Sequence, residues 1–444
     1  MTAHRDFKRS IRERMKKTGE RYTAARAVLL QARAIEKPTT RIAGLFPDYE
    51  CCGGVCRDTG ALRNFLAACG VGVAQNRESL SEALVNGLCG GVGFLYAVFE
   101  YKGWPPILSV LTRYDTMPDS YIANGLARLG IEMTRTETTS AATARKALDQ
   151  AIASQQPALC TVDCVGMMIE EPGPLQMAGA APTVVTVAGV DGTELLIDDG
   201  AVEPRRMSHE SFAGARAMYK KGKQRLITVS TRGQRVDLGQ CTIDAITATA
   251  DRFTNAPYKG FASNFGFAGL EKWQKLLIDT KDKKGWPTLF PGGKPAYFGL
   301  RRAFDGIEHE FTAPAAGRPI YAQFLREAAR ITNRARLNGA ADLFDKAGDS
   351  WSALTRAMAT CGDAAVEQGC KLGDSARELF DEAPPDCKAG IQRISRERTS
   401  LANECTLSAS QAAGLYAELS RHVGEILAIE REAVATMQAA TTGK

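Results

Sequence analysis

The sequence predicts an α+β domain followed by an all-helical domain, with helical extensions at both ends. Three observations carry that expectation. From Arg41 to about Val229, short apolar runs of strand length alternate with amphipathic helical patterns. Beyond Asp237 the apolar spacing is helical nearly to the end. The 444 residues exceed what one average domain holds. The expected division is a basic helical extension over 1–40, the α+β domain over 41–232, a helical domain over 233–372 and amphipathic helices over 373–444.

Taken in order, Arg5 to Lys37 reads as helix interrupted near Thr18-Gly19 and ended by Pro38, with Phe7, Ile11 and Met15 at helical spacing. Its first part is crowded with Arg5, Lys8, Arg9, Arg12, Arg14, Lys16 and Lys17. Such a face binds phosphate backbones or acidic partners in some proteins and is plain solvated surface in most. Helices follow at Arg57–Cys69 and Ser79–Leu88, and the glycine-rich run Gly87 to Gly93 turns the chain into Phe94-Leu95-Tyr96. Thr143 to Ser154 is helical, and Ala158 to Val162 is a buried strand. Thr183–Ala188 and Glu194–Ile197 read as strands joined by the turn Val190-Asp191-Gly192-Thr193. A helix over Ser208–Tyr219 and a strand over Gln224–Val229 complete the domain. Further on, Ile243–Phe253, Gly269–Ile278, Ile320–Arg336, Ala340–Ala359 and Ser375–Glu382 fit helices, with a Gly/Pro-rich loop expected from Lys281 to Gly299. Lys388 to Ala440 fits two long helices broken near Thr406-Leu407-Ser408, where Ser408 and Gln411 have capping-box spacing.

Composition excludes several classes. A net charge of +6 is too mild at this length to imply nucleic acid or an anionic membrane by itself. No apolar run approaches the ~20 residues of a bilayer span. The charged opening lacks a secretory apolar segment, so a cytoplasmic location is expected. Of twelve cysteines, Cys69, Cys89 and Cys160 sit in apolar runs, as packed free thiols do. No paired CxxC units occur and the four histidines are scattered, so no metal is expected. Gly90-Gly91-Val92-Gly93 lacks the Lys-Ser/Thr of a phosphate-binding loop and reads as close packing. Lys281-Asp282-Lys283-Lys284 reads as a solvated loop.

The sharpest local feature is Gly53-Gly54-Val55-Cys56-Arg57-Asp58, in which glycines lead into a cysteine that opens an amphipathic helix. A thiol there feels the positive end of the helix dipole and the unpaired N–H groups of the first turn, both favouring thiolate. The same N–H groups can stabilise an oxyanion at an attacked carbonyl, the geometry of papain-like enzymes. The plainer alternative is a partly buried structural thiol.

The order of motifs around Cys56 resembles the N-terminal domain of the butirosin-biosynthesis protein H family. The resemblance lies in Ala61 to Leu66, Leu80-Ser81-Glu82-Ala83-Leu84, Gly87 to Phe94 with Tyr96, Pro157 to Asp163, Val184 to Asp191 and the strand reaching Asp198-Asp199. The second half is similar to the helical domain that accompanies it, through Asn264 to Leu270, Arg318-Pro319-Ile320-Tyr321, Phe324 to Ala328 and Trp351. The resemblance implies a papain-like fold that moves an acyl group from a carrier-protein thioester to an amine through an acyl-cysteine, without a cofactor. Cys56 is then the nucleophile, and Asp198, or alternatively Asp199, the acid that orients the base. The family's histidine falls at Thr183, which cannot hold a proton near neutral pH. His209, in Ser208-His209-Glu210, is the nearest histidine in sequence. No upstream glutamine is apparent for the oxyanion hole, and Asp48 and Glu50 disfavour a thiolate. Cys51 and Cys52 make redox pairing with Cys56 conceivable.

Three functions follow as expectations. The first is acyl transfer or amide processing on Cys56, with an acyl-carrier protein or peptide as donor and a small-molecule amine as acceptor. The second is a catalytically inactive papain-like scaffold that binds a peptide, carrier protein or small molecule, as Thr183 suggests. The third is nucleic-acid or acidic-partner binding by the N-terminal helix.

Overall fold

In the computed structural model, described for residues 3–33, 42–73, 78–102, 106–113, 118–168, 181–256, 259–382 and 387–442, the chain divides into two compact units. The first comprises Met1–Cys89, Met117–Cys241 and Glu378–Gln392, and the second Gly90–Thr116, Thr242–Arg377 and Arg393–Lys444. Pro38, expected to end the second helix, and Arg41 lie outside the described residues.

The chain begins with α1 (Ala3–Thr18) and α2 (Tyr22–Arg33), separated at Gly19 as expected. Next come α3 (Arg57–Ala68), β1 (Gly72–Val73), α4 (Glu82–Cys89), β2 (Leu95–Phe99), β3 (Ile107–Leu111) and α5 (Pro118–Arg128). They are followed by β4 (Met133–Thr136), α6 (Ala141–Ala153), β5 (Ala158–Asp163), α7 (Cys164–Met168), β6 (Pro182–Asp191) and β7 (Glu194–Asp198). The α+β part ends with β8 (Arg205–Ser208), α8 (His209–Met218), β9 (Leu226–Val229) and β10 (Arg235–Val236). The short strands β3, β4 and β8 and the eleven-residue helix α5 had not been expected.

Six strands of the first unit form one antiparallel sheet in the order β4-β9-β5-β6-β7-β8. Every residue of β5 is buried, as the continuous apolar run requires of a central strand. Along β6 the two faces separate by period two. Val185 and Val187 pack with Leu148 of α6 and Phe212 and Ala215 of α8. Ala188 packs on the other face with Leu45, Tyr49, Ala68 and Leu196. A bulge between Val187 and Gly189 lets the chain at Gly44 approach so closely that a Cβ on Gly189 would lie 2.2 Å from the Gly44 carbonyl oxygen.

Beyond β10 the described residues are helical: α9 (Leu238–Thr254), α10 (Gly266–Ile278), α11 (Trp286–Leu289), α12 (Gly293–Glu308), α13 (Arg318–Thr332), α14 (Arg336–Ala359), α15 (Ala364–Glu382), α16 (Cys387–Ser400) and α17 (Ala409–Thr441). The loop expected over Lys281–Gly299 is corrected by α11 and the first turns of α12. Pro287 and Pro295 sit in first turns, where a missing N–H is no loss, and Tyr297, Leu300, Phe304 and Ile307 then bury one face. The capping box forms: Ser408 Oγ accepts from Gln411 N–H at 3.2 Å, and Gln411 Oε1 accepts from Ser408 N–H at 2.9 Å.

The second unit also holds the β2–β3 hairpin, and its core stacks Trp273 on Phe94 and on Trp351 at 5.8 and 6.3 Å between ring centres. Inside it lies an ion pair with no solvent exposure, Arg318 Nε donating to Glu430 Oε1 at 2.7 Å. Arg318 also donates to the carbonyls of Thr112, Ala316 and Gly93, and Trp351 Nε1 to Glu430. The network is satisfied throughout, as two charges out of water require.

Candidate active site

Cys56 caps α3 with an extended backbone (φ −106°, ψ 124°) and is 3% exposed. The glycines before it are required by contact, because a Cβ on Gly54 would lie 2.6 Å from the Cα of Gly60 in the first turn of α3. Arg26 of α2 holds the same loop by donating to the carbonyl of Gly54 at 2.6 Å. The thiol is thus placed at the helix start as expected.

Its surroundings differ from those of a thiolate. Cys56 Sγ donates to Asp58 Oδ1 at 3.1 Å, and Asp58 Oδ1 also accepts from Thr59 N–H at 3.0 Å. The N–H groups of Val55 and Cys56 donate to the two oxygens of Glu82, at 2.9 and 2.8 Å. Burial pushes the Glu82 carboxyl above its ordinary range, while Arg63 and these two amides pull it down. Neither carboxylate was picked out from the sequence as a neighbour of the thiol. Asp58 was within reach of inspection as Cys-x-Asp, whereas Glu82 meets Cys56 only through tertiary packing.

The two aspartates at the end of β7 have different partners. Both oxygens of Asp198 accept hydrogen bonds: Tyr49 Oη and Asn64 Nδ2 donate to Oδ2, each at 2.8 Å, and Gly200 N–H donates to Oδ1 at 2.8 Å. Burial raises its pKa, and the three donors oppose that rise. Asp199 Oδ2 accepts from Arg57 and from Arg205 Nη2 at 3.0 Å, while Oδ1 is buried and has no hydrogen-bond partner among the described residues. Burial would raise Asp199, but the two guanidiniums outweigh it and its pKa is lowered. Arg57 and Arg205 also lie on the Phe380 ring, 3.7 and 4.3 Å from its centre, and Arg57 Nη1 donates to Asp381 at 3.1 Å.

Thr183 is half-buried on β6, opposite Val162 of β5. The ladder partner of Asp198 is Thr186. Three residues apart on one strand, Thr183 and Thr186 point to opposite faces, so the sheet does not aim Thr183 at Asp198.

His209 starts α8 beside Arg145 and Asp149 of α6, and burial lowers its pKa. Cys51 is buried, which pushes its thiol well above its ordinary range, and it forms no disulfide. On the N-terminal helix, Lys8 and Arg12 pair with Glu382 and Glu378, Arg9 with Asp6 and Glu13, and Arg14 with Glu20. Much of the basic face is therefore matched by acidic residues of the same chain. Among the described residues no group of three or more His, Cys, Asp or Glu side chains is placed to hold a metal, and no helix is long and apolar enough to cross a membrane.

Comparison with known proteins agrees with the motif order. Residues 56–199 match the family model described as butirosin biosynthesis protein H, N-terminal, and residues 210–383 match a domain of unknown function (DUF4872). A solved structure of a C39-like peptidase from Bacillus anthracis aligns over 44% of this chain and 96% of its own, with 11% identity and a TM-score of 0.27. No curated protein matches the chain.

Proposed function

Residues 56–199 belong to the butirosin biosynthesis protein H N-terminal family, and on that premise we propose that this domain is a papain-like scaffold that binds its ligand without acyl transfer. The ligand class is that of the family's substrates: a carrier protein, a peptide or a small amine. The single observation behind this reading is the hydrogen bond from Cys56 Sγ to Asp58 Oδ1. Nucleophilic attack needs thiolate. The Asp58 carboxylate 3.1 Å from the sulfur sets a like charge against a thiolate there and so disfavours the nucleophilic form. Thr183, at the histidine position, supplies no base.

Acyl transfer through an acyl-cysteine is the second reading. The unpartnered Oδ1 of Asp199 favours it, because an acid that orients a base keeps one oxygen for that base. On this reading Asp199, rather than Asp198, is the acid. Mass-mapped alkylation by limiting iodoacetamide over pH about 5–9 separates the two. Slow modification of Cys56 below neutral pH, with no turnover of acyl thioesters, is expected. Rapid modification there together with thioester turnover abolished in Cys56→Ala would establish the enzyme.

A further inference from the structure

Glu82 opens α4 and lies in the Leu80-Ser81-Glu82 stretch that carries part of the family resemblance. Its side chain is 10% exposed, and it reaches across to the start of α3. Oε2 accepts from Val55 N–H at 2.9 Å and Oε1 from Cys56 N–H at 2.8 Å. Thr59 Oγ1 adds a longer contact at 3.4 Å, and Arg63 Nη1 stands 4.0 Å from Oε2. Two successive backbone N–H groups thus donate to one carboxylate, each to its own oxygen. The Cys56 N–H is also the donor that an oxyanion formed on a carbonyl beside Sγ would need.

We propose that Glu82 is the positioning residue that closes this site: its carboxylate is the built-in occupant of the Val55–Cys56 amide pair. A ligand carboxylate or thioester carbonyl has to displace it to reach those donors. The inference rests on the non-catalytic reading above and explains how the site is held in that state. Loop and helix are shaped around the occupant, since Gly54 packs on Gly60 with no room for a side chain on either.

The test uses the full-length chain and two probes that differ in charge, iodoacetate and iodoacetamide, each mapped to Cys56 by mass spectrometry. Glu82→Ala leaves the two N–H groups free to dock the iodoacetate carboxylate. Its rate with iodoacetate should rise about tenfold more than its rate with iodoacetamide, should saturate, and should fall with added acetate. Glu82→Gln keeps the side-chain shape and one acceptor, and should show a smaller shift in the same direction. It also carries the test if the alanine variant does not fold. A purely structural Glu82 would lower the melting temperature and leave the ratio of the two rates at its wild-type value. That result, in either folded variant, overturns the proposal. Failure of the non-catalytic reading shows up elsewhere, as thioester turnover by the unaltered protein.

Discussion

At Cys56 the helix start and two carboxylates act in opposite directions. The dipole and first-turn amides favour thiolate, but Asp58 accepts the thiol proton's hydrogen bond and Glu82 takes the amides. Asp58→Asn removes one negative charge beside the sulfur and keeps an acceptor. Cys56 alkylation at a fixed neutral pH should then be faster than in the unaltered protein, read by mass-mapped labelling. Asp198 is held by three donors, so Tyr49→Phe should cost about 1–3 kcal/mol in thermal unfolding by leaving a buried carboxylate oxygen short of a donor. Part of the local geometry was legible: a glycine turn into Cys56 at a helix start, and a strand ending in two aspartates. Which aspartate faces which way was not, because it depends on the β6–β7 register, and one residue of slip reverses it.

Among the elements, long periodic helices were read most faithfully and short strands least. The Ser408–Gln411 box was visible because a cap is a local pattern; Ser408→Ala should lower stability by about 1 kcal/mol, measured by urea unfolding. The helix α12 was hidden by Gly292, Gly293 and Pro295, residues that break a helix interior yet suit its first turn. Arg318 is legible only as one residue of a motif, yet it carries the buried pairing with Glu430. Arg318→Leu leaves that carboxylate unpaired among tryptophans and should destabilise by about 3–5 kcal/mol, followed by the fluorescence of Trp273, Trp286 and Trp351.

For the whole molecule, acid sensitivity has opposing sources. Burial raises the folded pKa values of Glu82 and Asp198, so these groups cost stability as pH rises through the carboxylate range. Asp305 behaves in the other sense. Burial alone would raise it, but Arg398 and Arg301 bring it down to about 2. Its contribution is complete above the unfolded value near 4 and is lost as pH falls toward 2, amounting to about 2 kcal/mol. In Asp305→Asn the second unit, though less stable at neutral pH, should lose correspondingly less between pH ~5 and ~2, as near-ultraviolet circular dichroism would record. The interleaving of the two units was illegible, because nothing local marks Glu378–Gln392 as part of the first.

That interleaving bears on how the chain emerges from a ribosome. Arg26, Arg57, Asp199 and Arg205 have all been made by the time Cys241 is added, but Phe380 and Asp381, which contact or pair with three of them, come only after the stretch Thr242–Arg377. At ~5–20 residues per second the wait is on the order of ten seconds. Throughout it, a cluster of three guanidiniums and one carboxylate stands without its aromatic cover and second carboxylate. The first unit is therefore begun early in synthesis and completed late, and a nascent chain halted at Arg377 carries the cysteine site without the segment that neutralises its flank.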